Sequence, residues 1–127
     1  MAYLADIAEV SHLVEDPIRQ MGLNAGEPEL YADIFKACVS KEAFLFVEDT
    51  SFTVIRPEVV RGIKQMFVWV AYSKSGNAYA KFMPYIEERA KEVGCEQLTF
   101  WTALEPINRY IQRHGWKKKY TVWSKDV

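Results

Sequence analysis

Long apolar runs are missing from this sequence. The longest uninterrupted one is Met66-Phe67-Val68-Trp69-Val70-Ala71-Tyr72, far short of the ~20 residues that a bilayer-spanning helix needs. A membrane partner is therefore not expected. The first residues, Met1-Ala2-Tyr3-Leu4-Ala5-Asp6, hold no Lys or Arg and do not resemble a secretory leader. Cysteine is scarce. Cys38 and Cys95 cannot form a disulfide framework, and reduced thiols in a cytoplasmic setting are the expectation. Histidine is equally scarce: His12 and His114 stand far apart, with no Cys-x-x-Cys or His-x-x-x-His spacing, so no metal site is expected. There is no nucleophile elbow around a serine, no repeat, no low-complexity tract and no linker.

What remains has the make-up of one globular domain, expected over residues 1–127. The chain is 50% hydrophobic, 14% aromatic and 26% charged, enough apolar surface to bury a core. The net charge of −1 hides an asymmetry. Residues 1–50 carry ten acids and three bases, a balance of −7, whereas residues 51–127 carry thirteen bases and seven acids, a balance of +6. The stretch Arg109 to Lys125 has six bases and no acid, which suits an anionic ligand or a solvated chain end.

The periodicity predicts a short strand or helix start over Leu4–Val10, then a helix with Ser11 as N-cap that must accommodate Pro17. A second helix follows Pro28 and runs to about Val39, with Leu30, Ile34, Ala37 and Cys38 on one face. That face places Cys38 in the core. Strands are predicted at Ala43–Val47 and Phe52–Arg56, joined by a turn at Glu48–Ser51, and at Gln65–Tyr72, apolar on both faces and so central. After the polar loop Ser73–Asn77, a helix from Ala78 to Val93 sets Tyr79, Phe82, Met83, Ile86, Ala90 and Val93 on one face, is kinked at Pro84 and is closed by Gly94. A strand at Gln97–Thr102, a helix from Pro106 to Gly115 and a strand at Tyr120–Trp123 complete the pattern. Strand–helix–strand units imply parallel pairing and the hairpin implies antiparallel pairing. An α/β mixed sheet with helices on both faces is the result.

The strand–loop–helix unit around Ser73-Lys74-Ser75-Gly76-Asn77-Ala78 carries the chemistry. A helix N-terminus offers unpaired N–H groups and positive dipole character. Gly76 lets a ligand approach the backbone, Ala78 is small, and Lys74 adds a charge: an anion site of the kind that holds phosphate. By itself the motif is also what an ordinary turn looks like.

At these residues the chain resembles the GNAT superfamily of acyl-CoA-dependent N-acyltransferases. The family's pyrophosphate loop, Gln/Arg-x-x-Gly-x-Gly/Ala, corresponds to Ser73–Ala78, with Ser73 in place of Gln or Arg. Tyr110-Ile111-Gln112-Arg113-His114-Gly115-Trp116 resembles the family's Tyr-x-x-x-Gly-Phe signature, with Ile111 where the acid Tyr is expected and Tyr110 one residue away. The resemblance spans roughly residues 43 to 123. It implies a central mixed sheet, acetyl-CoA or another acyl-CoA as co-substrate, and an amine acceptor. It implies pantetheine pairing with the main chain of Val68 to Ala71, a thioester oxygen near the Val70 N–H, and pyrophosphate on the amides of Lys74, Ser75, Gly76, Asn77 and Ala78, with Ser73 beside them. Tyr110 becomes the candidate acid and Glu48, at a strand end, the candidate base. The short tail after Trp116 raises a homodimer as one way to complete the sheet. A narrower resemblance, to GNAT-like internal virion proteins of podophages, implies the alternative of a fold without catalysis, located in host cytoplasm or virion. A nucleic-acid binder using the basic end ranks last, for want of any recognisable module.

Overall fold

The computed structural model describes residues 1–100, 113–117 and 125–126. Among these described residues, five strands form one mixed sheet in the order β1-β2-β3-β4-β5. They are β1 (Tyr3–Ala5), β2 (Phe44–Glu48), β3 (Ser51–Val60), β4 (Ile63–Tyr72) and β5 (Gln97–Phe100), with helices α1 (Ser11–Ala25) and α2 (Leu30–Val39) after β1 and α3 (Ala78–Glu92) between β4 and β5. Neighbours are antiparallel from β1 to β4, and β4 pairs with β5 in parallel from Gln65↔Gln97 to Val68↔Phe100. The parallel pair is the one that α3 connects, as a crossover helix requires.

The helices cover opposite faces. Val14, Ile18, Leu30, Tyr31, Ile34 and Ala37 of α1 and α2 pack on Leu45, Val47, Phe52, Val54 and Val70. Phe82, Ile86 and Ala90 of α3 pack on Phe46, Ile55 and Met66. Consecutive residues of β2 thus serve different layers, as the two-residue period of a strand dictates.

The hairpin of β3 and β4 is longer than the sequence predicts. Pro57 sits inside β3, opposite Met66, and the ladder continues to Val60↔Ile63. Arg61 and Gly62 turn the chain with φ of 53° and 80°, the positive values that a two-residue hairpin turn demands. The ladder has one irregularity: Val54 pairs with Val70 but Ile55 pairs with Val68, leaving Trp69 as an extra residue on β4. This bulge inverts the alternation. Met66 and Val68 lie on the α3 side, whereas Val70 and Tyr72 lie on the α1/α2 side.

Other expectations shift at their edges. β1 is a three-residue edge strand rather than a segment reaching Val10. Val10, not Ser11, occupies the N-cap of α1, and α1 runs through Pro17 to Gly26, whose φ is 73°. α3 likewise runs through Pro84. Cys38 is half-buried against the α1/α2 core, and burial pushes its thiol up to about 11, so it is a packing residue. The predicted helix over 106–115, apart from the turn at its end, and the strand over 120–123 lie outside the described residues, as does any divergence of β4 and β5 beyond Phe100.

Candidate functional site

The centre of interest is the end of β4, the loop after it and the first turn of α3. The loop is held by its own polar groups. The Ser73 and Ser75 hydroxyls donate to Asn77 Oδ1 at 2.8 and 2.7 Å, and their own oxygens are 2.9 Å apart. The Gly76 N–H donates to the Ser73 carbonyl at 3.1 Å. Gly76 has a φ of 76°, a left-handed conformation that glycine adopts without the penalty other residues meet. A Cβ built there meets no atom within 4 Å, so the approach to this backbone is open.

Asn77 is the N-cap residue, and its carbonyl accepts the first helical bond, from the Lys81 N–H at 3.0 Å. Its side chain does not cap: Oδ1 is taken by the two serines, and no side-chain cap bond is present. The first turn also lacks any acid. The N–H groups of Ala78, Tyr79 and Ala80 are therefore the orphan donors of a helix start, with positive dipole character and exposed Lys74 nearby in the chain.

Behind the loop runs a chain of polar contacts. The Ser51 hydroxyl, 3% exposed as a residue, donates to Ser73 Oγ at 3.2 Å. Lys81 Nζ lies 3.4 Å from Ser51 Oγ and 3.6 Å from Glu48 Oε2. Glu48, the predicted base, ends β2 and takes the Met1 ammonium at 3.0 Å on its other oxygen. The ammonium of Met1, then Lys81, hold its carboxyl below the usual range. A carboxylate so paired is a weaker proton acceptor.

Val68 and Val70 flank the bulge. The Thr53 hydroxyl, fully buried, donates to the Val70 carbonyl at 2.8 Å. Val68, Val70 and Ser73 to Ala78 thus follow one another along one strand–loop–helix segment, with Val68 and the buried Val70 on opposite faces of the sheet, and Glu48 joins that segment through Lys81. Tyr110, the predicted acid, lies outside the described residues. Beyond it, Arg113 to Gly115 form a turn in which Gly115 has a φ of 87°, and Trp116 stands edge-on to Phe100, centroids 5.4 Å apart. Lys81, Ser51 and Thr53 were not singled out in the sequence. Nothing local marks them, because their partners are 17 to 33 residues away in the chain. Among the described residues no group of three His, Cys, Asp or Glu side chains could hold a metal, and no helix is long and apolar enough to cross a membrane.

Comparison with known proteins is informative only in three dimensions. No family model and no curated protein matches this sequence. Among solved structures, the chain is similar over its whole length to a GCN5-related N-acetyltransferase from Ralstonia eutropha JMP134, at a TM-score of 0.73 and 14% identity, covering 97% of that chain. It is also similar to a predicted acetyltransferase from Clostridium acetobutylicum, solved with acetyl-CoA, at a TM-score of 0.71 and 13% identity, covering 99% of this chain and 95% of that one. A transcriptional regulator from Bacillus halodurans C-125 matches at 0.67 and 17%, covering 100% and 99%. Identities this low speak of architecture alone. The chain has the GNAT fold, that of the acyl-CoA-dependent N-acyltransferases.

Proposed function

We propose that the protein is a GNAT-type N-acyltransferase that passes an acyl group from acyl-CoA to an amine. The observation that carries this reading is the uncapped, acid-free start of α3, presented by the Gly76 turn at the end of a bulged strand. Three features fit a pyrophosphate: orphan N–H groups, the open space over Gly76 and the charge of Lys74. In this reading the amides from Lys74 to Ala78 hold the pyrophosphate and the main chain of Val68 to Ala71 holds the pantetheine arm. An N–H near Val70 faces the thioester oxygen. Bound there, acyl-CoA supplies an activated carbonyl: the amine nitrogen forms the new amide bond, the C–S bond breaks, and the thiol leaves with a proton.

The chain's own part is positioning and oxyanion contact. Thr53 fixes the Val70 peptide by taking its carbonyl, which supports the placement of the bulge. Glu48 serves better as the anchor of Lys81 than as a base, since its lowered pKa weakens it as a proton acceptor. Tyr110 stays the candidate acid on the strength of the resemblance alone. The amine must arrive neutral or lose its proton to solvent, so the reaction is expected to be slow.

Calorimetry with acetyl-CoA tests this. Gly76→Asn and Gly76→Asp both tolerate a positive φ better than most residues, are nearly the same size and differ in charge. Wild type and Gly76→Asn should bind, and Gly76→Asp should lose binding through repulsion of the phosphates. Absence of heat from the wild type at high micromolar acetyl-CoA would reduce the loop to a turn.

A further inference from the structure

Asn77 is of a residue type that caps helices well, and here it does not cap. An N-cap side chain reaches back to its own helix from an extended backbone. Asn77 instead has a φ of −108° and a ψ of 24°, and its side chain makes no bond to α3. Its amide oxygen is spent elsewhere. The Ser73 hydroxyl donates to Oδ1 at 2.8 Å and the Ser75 hydroxyl at 2.7 Å, which fills both acceptor positions of that oxygen.

The serine pair is itself oriented from behind. The Lys81 ammonium can only donate, and it lies 3.4 Å from Ser51 Oγ. That leaves the Ser51 proton for Ser73 Oγ, at 3.2 Å, and the Ser73 proton for Asn77. Every link then points one way, from Lys81 through Ser51 and Ser73 to Asn77 Oδ1. The origin of the chain is anchored, because Lys81 pairs with the Glu48 carboxylate at 3.6 Å and Ser51 is buried away from competing water. Residues of β2, β3 and α3 thus act together on one loop side chain.

We propose that Ser73, Ser75 and, through Ser51, Lys81 are positioning residues that keep the Asn77 side chain off the start of α3 and thereby regulate anion binding there. The first half concerns the loop alone. The second rests on the acyl-transfer reading, in which the free N–H groups take the pyrophosphate. Released from the serines, the Asn77 oxygen has donors two and three residues ahead of it, since the first four N–H groups of a helix lack partners. A bond to Oδ1 from the Tyr79 or Ala80 N–H would spend one of those donors and set an acceptor oxygen against the incoming phosphate. The loop carries its own competitor for the anion, and the serines hold that competitor away. This gives Ser73 a task of its own at the position where the resemblance expects Gln or Arg.

Amide exchange by NMR and calorimetry separate the two halves. In Ser73→Ala/Ser75→Ala, the Tyr79 or Ala80 amide should exchange more slowly by about fivefold or more, the scale of one capping bond. Adding Asn77→Ala should return it to the wild-type rate. Unchanged exchange in the double variant, or slowing that survives Asn77→Ala, overturns the positioning role, and the remaining amides of α3 and the sheet report that the variants are folded. Lys81→Met leaves both loop serines in place and is the second route to the same end. It should slow the same amide to a smaller extent, and exchange equal to wild type removes Lys81 and Ser51 from the proposal. Acetyl-CoA affinity is then read by calorimetry. The double variant should bind about fivefold more weakly, and the triple variant should recover most of that loss. A loss that Asn77→Ala does not recover assigns the serine hydroxyls to direct contact with the ligand and overturns the regulatory half. If the wild type binds no acetyl-CoA while the exchange rates change as expected, the acyl-transfer reading fails and the positioning of Asn77 stands.

Discussion

Asn77 gives its side-chain oxygen to two serine hydroxyls, and that leaves α3 without a cap. The same economy of partners decides the fate of Glu48. Its carboxyl is held low by the Met1 ammonium and by Lys81. A carboxylate with a depressed folded pKa contributes stability that is complete above its unfolded value and is lost as pH falls through the folded value. Glu48→Gln should therefore flatten the acid limb of a stability-against-pH curve below about pH 4.5 and leave the neutral and alkaline parts nearly parallel to wild type. If Glu48 anchors Lys81 and is not the base, the same change alters kcat/KM by less than about tenfold and does not move its pH profile. A loss nearer 10²- to 10³-fold, with the acid limb of the profile gone, would restore Glu48 as the base. Gly76 and Lys74 were legible as loop residues because their signal is local. The partners of Glu48 were not, since Lys81 is 33 positions away and the pairing exists only once β2 and α3 are packed.

At the scale of elements, the bulge in β4 is the feature the sequence conceals best. Met66 to Tyr72 is apolar at every position, so an inverted alternation leaves no polar residue on the wrong face to betray it. The strand predicted over Phe52–Arg56 is also longer than its pattern indicates, since β3 continues through Pro57 to Val60. The helical faces were plainer. Phe82 and Ile86 recur at the spacing of one turn and are both buried. Phe82→Ala should cost about 3–5 kcal/mol, read as a lower denaturant midpoint. Thr53→Val keeps the shape of the side chain and removes the donor to the Val70 carbonyl. It should cost about 1–2 kcal/mol, and it should weaken acetyl-CoA binding in proportion as the bulge relaxes. A variant as stable as wild type would show that another group holds that carbonyl.

For the molecule as a whole, helices on both faces of a mixed sheet place the Gly76 loop at one end of β4 and the Arg61–Gly62 turn at the other. The layers were legible in the order of elements, whereas the shift of pairing between Val54 and Ile55 required the register. The uneven charge of the chain, −7 before residue 51 and +6 after it, suits the polyanionic co-substrate proposed for the second half. If phosphates provide much of the binding, acetyl-CoA affinity should fall as salt is raised from about 0.05 to 0.5 M, where screening shortens from over 10 Å to about 4 Å. The most direct test of acyl-CoA binding at the Gly76 turn is an amide map of acetyl-CoA titration by ¹⁵N–¹H correlation spectra. Saturable shifts should concentrate at Trp69 to Ala71 and at Lys74 to Ala80, with β1, α1 and α2 undisturbed. Saturable shifts that spare the Gly76 turn, or none at all, would contradict it.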